Sequence, residues 1–531
     1  MANPISALYQ LARAGLVFAE HGVRFVPKGM PVPLPLKLAH WASLPIRILA
    51  WPFRPRPRKG ETPIAAALTR LGPTYIKLGQ FLATRRDLVG KELAGDLAGL
   101  QDRMAPFPAS EARAAVAAAL EQPVDRLFAE FGPPVAAASI AQVHKALVIE
   151  EDGMGRAVAV KILRPGIERR FANDLASFDF AARRIEGWHP PARRLKPRAV
   201  VATLRRSMDL ELDLRMEAAA ISEMAENVRT DQGFRVPQID WTRTARQVLT
   251  LEWIDGIPIG DKAALQAAGH DVHKLGENVI RHFLRHAMRD GFFHADMHQG
   301  NLFVDGDGRI VAVDFGIMGR LGGKERRFLA EILYGFISRD YRRAAAAHFA
   351  AGYVPEKHSV DVFAQALRAI GEPLMGRPAE EISMGHLLGQ LFAYTEVFDM
   401  ETRPELILLQ KTMVVVEGVA RNLDPRLNMW TAAEPIVKEW MEKELGIEGR
   451  LREAGEGAGQ MGQFVADLPL MLLHAERAAS AFSQMARQGL KLDEDTVERL
   501  AHVQARSSRW SSLALWLGAL ALAVIAILRF I

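Results

Sequence analysis

The segment FFHADMHQGNLFVDGDGRIVAVDFG, residues 292–316, constrains this chain more than any other stretch. Asp296 and Asn301 lie five residues apart, and Asp314 follows two short β-branched runs joined by Asp-Gly-Asp-Gly. The pattern reads as strand, turn, strand, with a carboxylate or amide at each end. Phosphoryl transfer needs such a set. One carboxylate accepts a hydroxyl proton or orients the nucleophile, while an amide and a second carboxylate hold magnesium against the phosphates. Two protein ligands suffice for that metal, because water and phosphate oxygens fill the remaining positions.

The order Asp-x4-Asn, strand, turn, strand, Asp-Phe-Gly is similar to the catalytic and metal-binding loops of protein kinases. A nucleotide site also needs a cation for the α and β phosphates. Lys161 ends the alternating run AVAVKIL, where the kinase lysine of the third strand sits. Its acidic partner is sought on the helix DLRMEAAAISEMAEN; Glu217 is the best candidate, with Glu223 and Glu226 on the same helix. A Gly-rich loop over the phosphates is missing. In its place stand Val135, Ala136, Ala137, Ala138, Ser139, Ile140, Ala141, Gln142 and Val143. Methyl groups restrict positive φ and close backbone approach, so this loop should sit differently over a nucleotide.

Periodicity places these groups. Residues from Thr62 to about 130 read as helical. VHKALVIE and RAVAVKIL, separated by a Gly-containing turn at 152–155, read as a hairpin. Helix returns over 168–228, strand-like pieces follow at 246–253, 301–304 and 310–313, and the pattern after 320 is helical again. The length of 531 residues exceeds what one hydrophobic core serves. Cys is absent, which excludes disulfides, iron–sulfur clusters, Cys-ligated zinc and a cysteine nucleophile.

With these motifs the chain resembles the UbiB family of atypical protein-kinase-like proteins associated with ubiquinone (coenzyme Q) biosynthesis. The resemblance runs from roughly residue 62 to 440 and includes Lys-x-Gly-Gln (Lys77, Gly79, Gln80), Glu-x-Asp (Glu211, Asp213) and the Ala-rich loop. It implies ATP and Mg2+ as cofactors and Lys161–Glu217 as the ion pair of the nucleotide site. It further implies Asp296 as the catalytic-loop aspartate, Asn301 and Asp314 as metal ligands, and Lys77 meeting the Glu211–Asp213 segment. Taken from the residues alone, Lys77 on a helix is equally a solvated cation. The implied fold is α+β, a protein-kinase-like two-lobe fold with added N-terminal helices and a C-terminal transmembrane helix. The corresponding division is an amphipathic helix and basic Pro-rich linker (1–61), a helical extension (62–130) and an N-lobe with a helical insertion (131–257). A helical C-lobe (258–440), a helical region (441–509) and the transmembrane helix (510–528) complete it. After Asp314-Phe315-Gly316 the chain runs through IMGRLGGKERR into a helical pattern, with no long activation segment and no nearby Ala-Pro-Glu. Protein substrates are therefore disfavoured relative to ATP hydrolysis or action on a small or lipid molecule.

The membrane reading rests on the uncharged run from Trp510 to Leu528, which as a helix spans about 28 Å, close to the hydrocarbon thickness of a bilayer. Arg499, Arg506 and Arg509 precede it and only Arg529 follows, which places the bulk of the chain on the cytoplasmic side, at the inner membrane in a bacterium. Residues 1–26 read as an amphipathic helix lying on a membrane or on the protein itself, not as a signal peptide. Arg54, Arg56, Arg58 and Lys59 form a basic linker that either meets anionic lipid or is simply solvated. Expected partners are membrane lipid and ubiquinone-pathway intermediates, such as polyprenyl phenols, or their enzymes. Nucleic acid is not among them: the net charge is only +5, and the basic loop at 193–198 lacks interleaved aromatics. Three rival readings remain. One is a small-molecule phosphotransferase of the aminoglycoside or choline kinase type, whose catalytic loop also resembles HADMHQGN. Another is a nucleotide-binding pseudokinase scaffold. The third is a transition-metal site among His282, His286, His294 and His298, which lie at four- or eight-residue spacings, although His282 and His286 belong to the helix before the loop and no Glu follows His282 as a metalloprotease motif requires.

Overall fold

The computed structural model describes residues 4–23, 62–83, 89–100, 104–188, 196–375, 397–400 and 404–445. The basic linker at 51–61, the short apolar run MGQFVADLPLMLLHAERA at 461–478, whose sequence reads as a packed or interfacial helix, and the expected membrane helix at 510–528 lie outside these residues. Among the described residues no helix is long and apolar enough to cross a membrane.

The smaller lobe is built on a four-stranded antiparallel sheet, ordered β1 (Glu130–Ala137), β2 (Ala141–Ile149), β3 (Gly155–Leu163) and β5 (Val248–Glu252). Alternation along β3 sorts its side chains. Val158, Val160 and Ile162 point to one face and are fully buried, while Lys161 points to the other. Burying each of those aliphatic side chains contributes roughly 1.5–3 kcal/mol. Two helices, α5 (Ala109–Leu120) and α6 (Val124–Leu127), close this core through Ala112, Val116, Val124 and Leu127. They leave the opposite face, with Lys161 and its cross-strand neighbour Val143, to line the cleft.

Further helices surround this sheet. A second core joins α1 (Pro4–Glu20), α2 (Pro63–Leu71), α3 (Pro73–Ala83) and α4 (Lys91–Ala98) through Ala14, Val17, Leu68, Tyr75 and Leu97. The amphipathic N-terminal helix therefore lies on the protein. Its Leu8, Tyr9 and Leu16 stay exposed. A long helical hairpin, α7 (Ile167–Trp188) and α8 (Pro197–Glu211), leads into α9 (Leu214–Asn227), which Asp213 caps by accepting from the N–H of Arg215.

The larger lobe opens with α10 (Lys262–Ala267) and α11 (Val272–Arg285); Asp271 caps α11 by accepting from the N–H groups of His273 and Lys274. One π turn, His286–Asp290, carries α11 into β7 (Phe292–His294). A second four-stranded sheet, ordered β4 (Phe234–Arg235), β9 (Ile310–Ala312), β8 (Leu302–Asp305) and β6 (Gly256–Pro258), carries the chain between Asn301 and Asp314. Beyond β10 (Met318–Arg320) come α12 (Gly323–Ile337), α13 (Tyr341–Ala350), α14 (Val360–Met375), α15 (Pro404–Leu423) and α16 (Met429–Leu445). The hairpin at 141–163 and the strands at 248–252, 302–305 and 310–312 lie where the sequence pattern puts them.

Candidate active site

Lys161 is the centre of the cleft. Its Nζ donates to both carboxylate oxygens of Glu217, at 2.8 and 2.9 Å, and to Asp314 Oδ1 at 2.8 Å. Glu217 enters from the first turn of α9 and is nearly buried, and its Oε1 also accepts from the N–H of Phe315 at 3.2 Å. Glu223, further along the helix, instead receives both guanidinium nitrogens of Arg320. Burial works against the Lys161 ammonium, but Asp314 and Glu217 together outweigh it and hold its pKa above the ordinary lysine value. The same ammonium holds Asp314 well below the usual carboxylate range, and Lys77 adds to that pull. Burial, as the largest influence, pushes Glu217 up.

Asp314 has a positive φ of 62°, rare for a residue with a Cβ, in a side chain that remains 52% exposed. The backbone twist turns its carboxylate back toward Lys161 while Phe315 drops into the core. Phe315 packs against His294, with ring centroids 5.0 Å apart. His294 is fixed at both nitrogens: Nδ1 accepts from the N–H of Asp296 at 3.1 Å, and Nε2 donates to Val313 O at 3.2 Å. That pattern requires the neutral ring, and burial lowers its pKa accordingly. Asn301 donates Nδ2 to Asp296 O at 3.1 Å, which leaves its Oδ1 uncommitted among the described residues. The Asp296 carboxylate is about one-third exposed, with His298 Nε2 at 3.7 Å from Oδ2.

The Ala-rich segment is a tight hairpin turn. Val135, Ala136 and Ala137 finish β1, Ala141, Gln142 and Val143 begin β2, and only Ala138, Ser139 and Ile140 form the bend. Ala138 N–H donates to Ala141 O at 2.8 Å, and no residue of the turn has positive φ, so the methyl groups cost it no backbone strain. Gln142 faces away from the cleft. Its amide is buried, accepts from the N–H of Phe107, and donates to Phe107 O and toward His144. Arg164 clamps the turn from outside, donating twice to Ala138 O and once to Ala105 O.

Among the described residues the added helices reach toward the cleft through Lys77, which acts on the Asp314 carboxylate. Lys77 Nζ lies 2.6 Å from Glu211 Oε2, both side chains being largely buried. Gly79, on the same helix, lets Leu68 and Leu100 pack where its Cβ would stand, and Gln80 follows one residue on, partly buried. Asp213 does not take part: it caps α9 and pairs with Arg215 at 2.7 Å.

Two functional contacts escape a reading of the sequence. Arg164 sits just beyond the Lys161 strand with no spacing to mark it. Thr412, in α15, is completely buried; its hydroxyl proton is shared between Leu408 O of its own helix at 2.8 Å and Ala295 O at 3.0 Å, the second contact bracing the loop that carries Asp296. A lone threonine in the apolar run LILLQKTMVVV was its one available signal. The histidines at 282 and 286 meet Asp231, with donor atoms within 4.8 Å of one another. Arg289 already donates to both Asp231 oxygens, at 2.5 and 3.1 Å, so the one carboxylate of the group is engaged by a guanidinium.

Residues 99–348 match the ABC1 atypical kinase-like domain, and residues 367–428 match the UbiB helical domain. A curated relative named probable protein kinase UbiB, from Marinobacter nauticus, is 40% identical over 84% of this chain and 81% of its own length. The chain belongs to the UbiB family. A second relative of the same name, from Xanthomonas euvesicatoria pv. vesicatoria, is 38% identical over 88% of this chain and 85% of its own. The solved structure of the Rv3197–erythromycin complex from Mycobacterium tuberculosis matches 75% of this chain and 98% of that one, at 24% identity and a TM-score of 0.48. The ABC1 domain match gives this UbiB chain a kinase-like fold, and the helix that braces the Asp296 loop through Thr412 lies within the match to the UbiB helical domain.

Proposed function

We propose that this chain binds Mg-ATP in the cleft around Lys161 and turns it over as an ATPase or atypical kinase supporting ubiquinone synthesis. The reading rests on one observation: Lys161, Glu217 and Asp314 form a single hydrogen-bonded cluster. The donor set suits magnesium. Asp314 offers a half-exposed carboxylate and Asn301 an amide oxygen that accepts from no described residue; both are hard oxygen ligands. Magnesium there would neutralise phosphate charge. Lys161 supplies the fixed cation for the α and β phosphates, Glu217 holds its ammonium in place, and Asp296 orients the attacking hydroxyl or water and takes its proton.

The short path from Gly316 through β10 to α12 supports a non-peptide substrate, because it leaves no activation segment on which a polypeptide could dock. A polyprenyl phenol, or an enzyme handling one, fits a chain tethered by the apolar run at 510–528, with its catalytic part on the cytoplasmic face. In full-length protein with anionic liposomes, Asp314→Asn should lower Mg-dependent ATP turnover by about a hundredfold or more; unchanged turnover would remove the metal-ligand assignment. For the pathway, quinone extracts of a deletion strain should lack ubiquinone. Normal ubiquinone with full growth on respiratory substrates defeats that part of the reading.

A further inference from the structure

A cavity of about 280 Å3 lies between α1, the α2–α3 junction and the first turns of α7, on residues that the phosphoryl-transfer reading does not use. Helical spacing gathers its polar wall. Gly166, Arg169, Arg170 and Asn173 follow one face at the start of α7, and Gln10 and Arg13 face them from α1. Arg170 is held in place by donating to Leu71 O at 2.8 Å. Among the described residues Arg13 and Arg169 have no ion-pair partner. Three guanidinium groups around one cavity hold more positive charge than the single Asp174 carboxylate there offsets, which favours an added anion.

A second observation points the same way. Tyr75 lines the cavity, is only 6% exposed, and its hydroxyl has no hydrogen-bond partner among the described residues. Bonded to no described residue, that hydroxyl is available as a donor to a ligand beside the arginines. Asp174 lines the same cavity: its Oδ2 accepts from Thr74 Oγ1 at 2.6 Å, and burial raises its pKa while Thr74, Arg170 and Arg13 pull it down. One carboxylate among Arg13, Arg169 and Arg170 leaves the wall net positive. The N–H groups of the first turn of α7, a helix of 22 residues, add partial positive charge at the same end.

We infer that this cavity binds a phosphate-bearing anion, gripped by Arg13, Arg169 and Arg170 and hydrogen-bonded by Tyr75. Guanidinium forks suit phosphate oxygens, and Leu71 with the Tyr75 ring offers an apolar wall to whatever carries the phosphate. The phosphate belongs either to a lipid headgroup or to a soluble compound, and two probes separate these. Full-length protein, with its nucleotide site saturated by a non-hydrolysable Mg-ATP analogue, is titrated with inorganic pyrophosphate. It is also titrated with phosphatidylcholine vesicles containing phosphatidic acid.

Binding of at least one probe is expected, weakened tenfold or more in Arg13→Gln/Arg169→Gln. The double variant Arg342→Gln/Arg426→Gln, which removes the same charge elsewhere, should bind as the parent does. Pyrophosphate alone as the ligand assigns a soluble phosphate, and vesicles alone assign a headgroup. Tyr75→Phe should weaken binding several-fold with the fold intact. Failure of the parent to bind either probe overturns the site, as does equal binding by Arg13→Gln/Arg169→Gln or an equal loss in the charge-matched control. None of these outcomes bears on Lys161 or Asp314, so the two readings stand or fall separately.

Discussion

Glu217 is the residue on which the cleft depends most, because it serves two elements at once. It fixes the Lys161 ammonium from one side and the Phe315 N–H from the other, with almost no exposure to water. Removing one partner of a buried charge pair costs more than the pair itself contributes, since the remaining ion stays desolvated. Glu217→Gln keeps the acceptor for Phe315 but leaves Lys161 to Asp314 alone. The expected result is a ten- to hundredfold weaker nucleotide affinity, about 1.4–3 kcal/mol, measured by direct titration of a Mg-nucleotide; an unchanged affinity contradicts the shared role. Asp296 is different, because its carboxylate has no part in that cluster. Asp296→Ala should leave nucleotide affinity within about twofold and lower turnover by roughly a hundred- to ten-thousandfold, the range typical of a lost general base. Single-turnover kinetics on the two variants separate binding from chemistry.

Elements meet at contacts that a linear reading finds unevenly. Thr412 ties α15 to the catalytic loop, and Thr412→Val removes its hydroxyl while keeping its shape. Ala295 O then loses its share of a hydroxyl proton that Leu408 O also accepts, so unfolding free energy should fall by about 0.5–1.5 kcal/mol, and turnover should fall more than nucleotide affinity. Urea unfolding with parallel kinetics checks this; equal loss in both kinetic quantities would indicate that only folding was affected. Gly79 is the corresponding point on the extension. A Cβ there would stand 2.4 Å from Leu100 Cδ1 and 2.8 Å from Leu68 Cδ1. Gly79→Val should therefore cost about 1–3 kcal/mol by overpacking and raise hydrogen exchange in α2–α4 before the rest of the chain. Much of the site is legible in the sequence where chemistry and spacing coincide. Asp296, Asn301 and Asp314 carry a fixed order, and Lys161 ends a strand whose alternation is visible. Less legible are groups whose role is set by a distant backbone atom. Gln142 lies within the Ala-rich run, yet its strand parity turns it into the sheet to hold Phe107. Arg164 has no periodic neighbour to announce its grip on Ala138. Helices α5 and α6 read as a continuation of the extension from Thr62, but their apolar faces close the core of the sheet. Amphipathic pattern shows that a face is buried without showing against what.

Across the whole molecule, buried neutral histidines couple folding to pH in one direction. Burial lowers the pKa of His282 to about 3 and of His348 to about 4, and lowers those of His144 and His286 as well. His348, in α13, is 5% exposed, stacks edge-on against Phe363, and donates Nδ1–H to Ala344 O at 2.7 Å. No carboxylate faces it to stabilise a second proton. An unfolded histidine titrates near a pH of about 6.5. Between that value and the folded value of about 4, the unfolded chain holds more protons than the folded one, so stability rises with pH. The contribution is fully present above the unfolded pKa and is lost as pH falls through the window, at about 1.4 kcal/mol per pH unit for each such group. His286 acts alongside Asp231 and Arg289, and Asp231, held low by those partners, contributes its own loss only at more acidic pH. The protein should accordingly lose unfolding free energy well above the pH at which ordinary carboxylates protonate. His348→Gln is expected to lower stability at neutral pH while removing one proton's worth of slope between pH values of about 6 and about 4.5. Urea unfolding at half-unit pH steps measures both quantities, and a slope unchanged from the parent would show that His348 is free to protonate in the folded lobe.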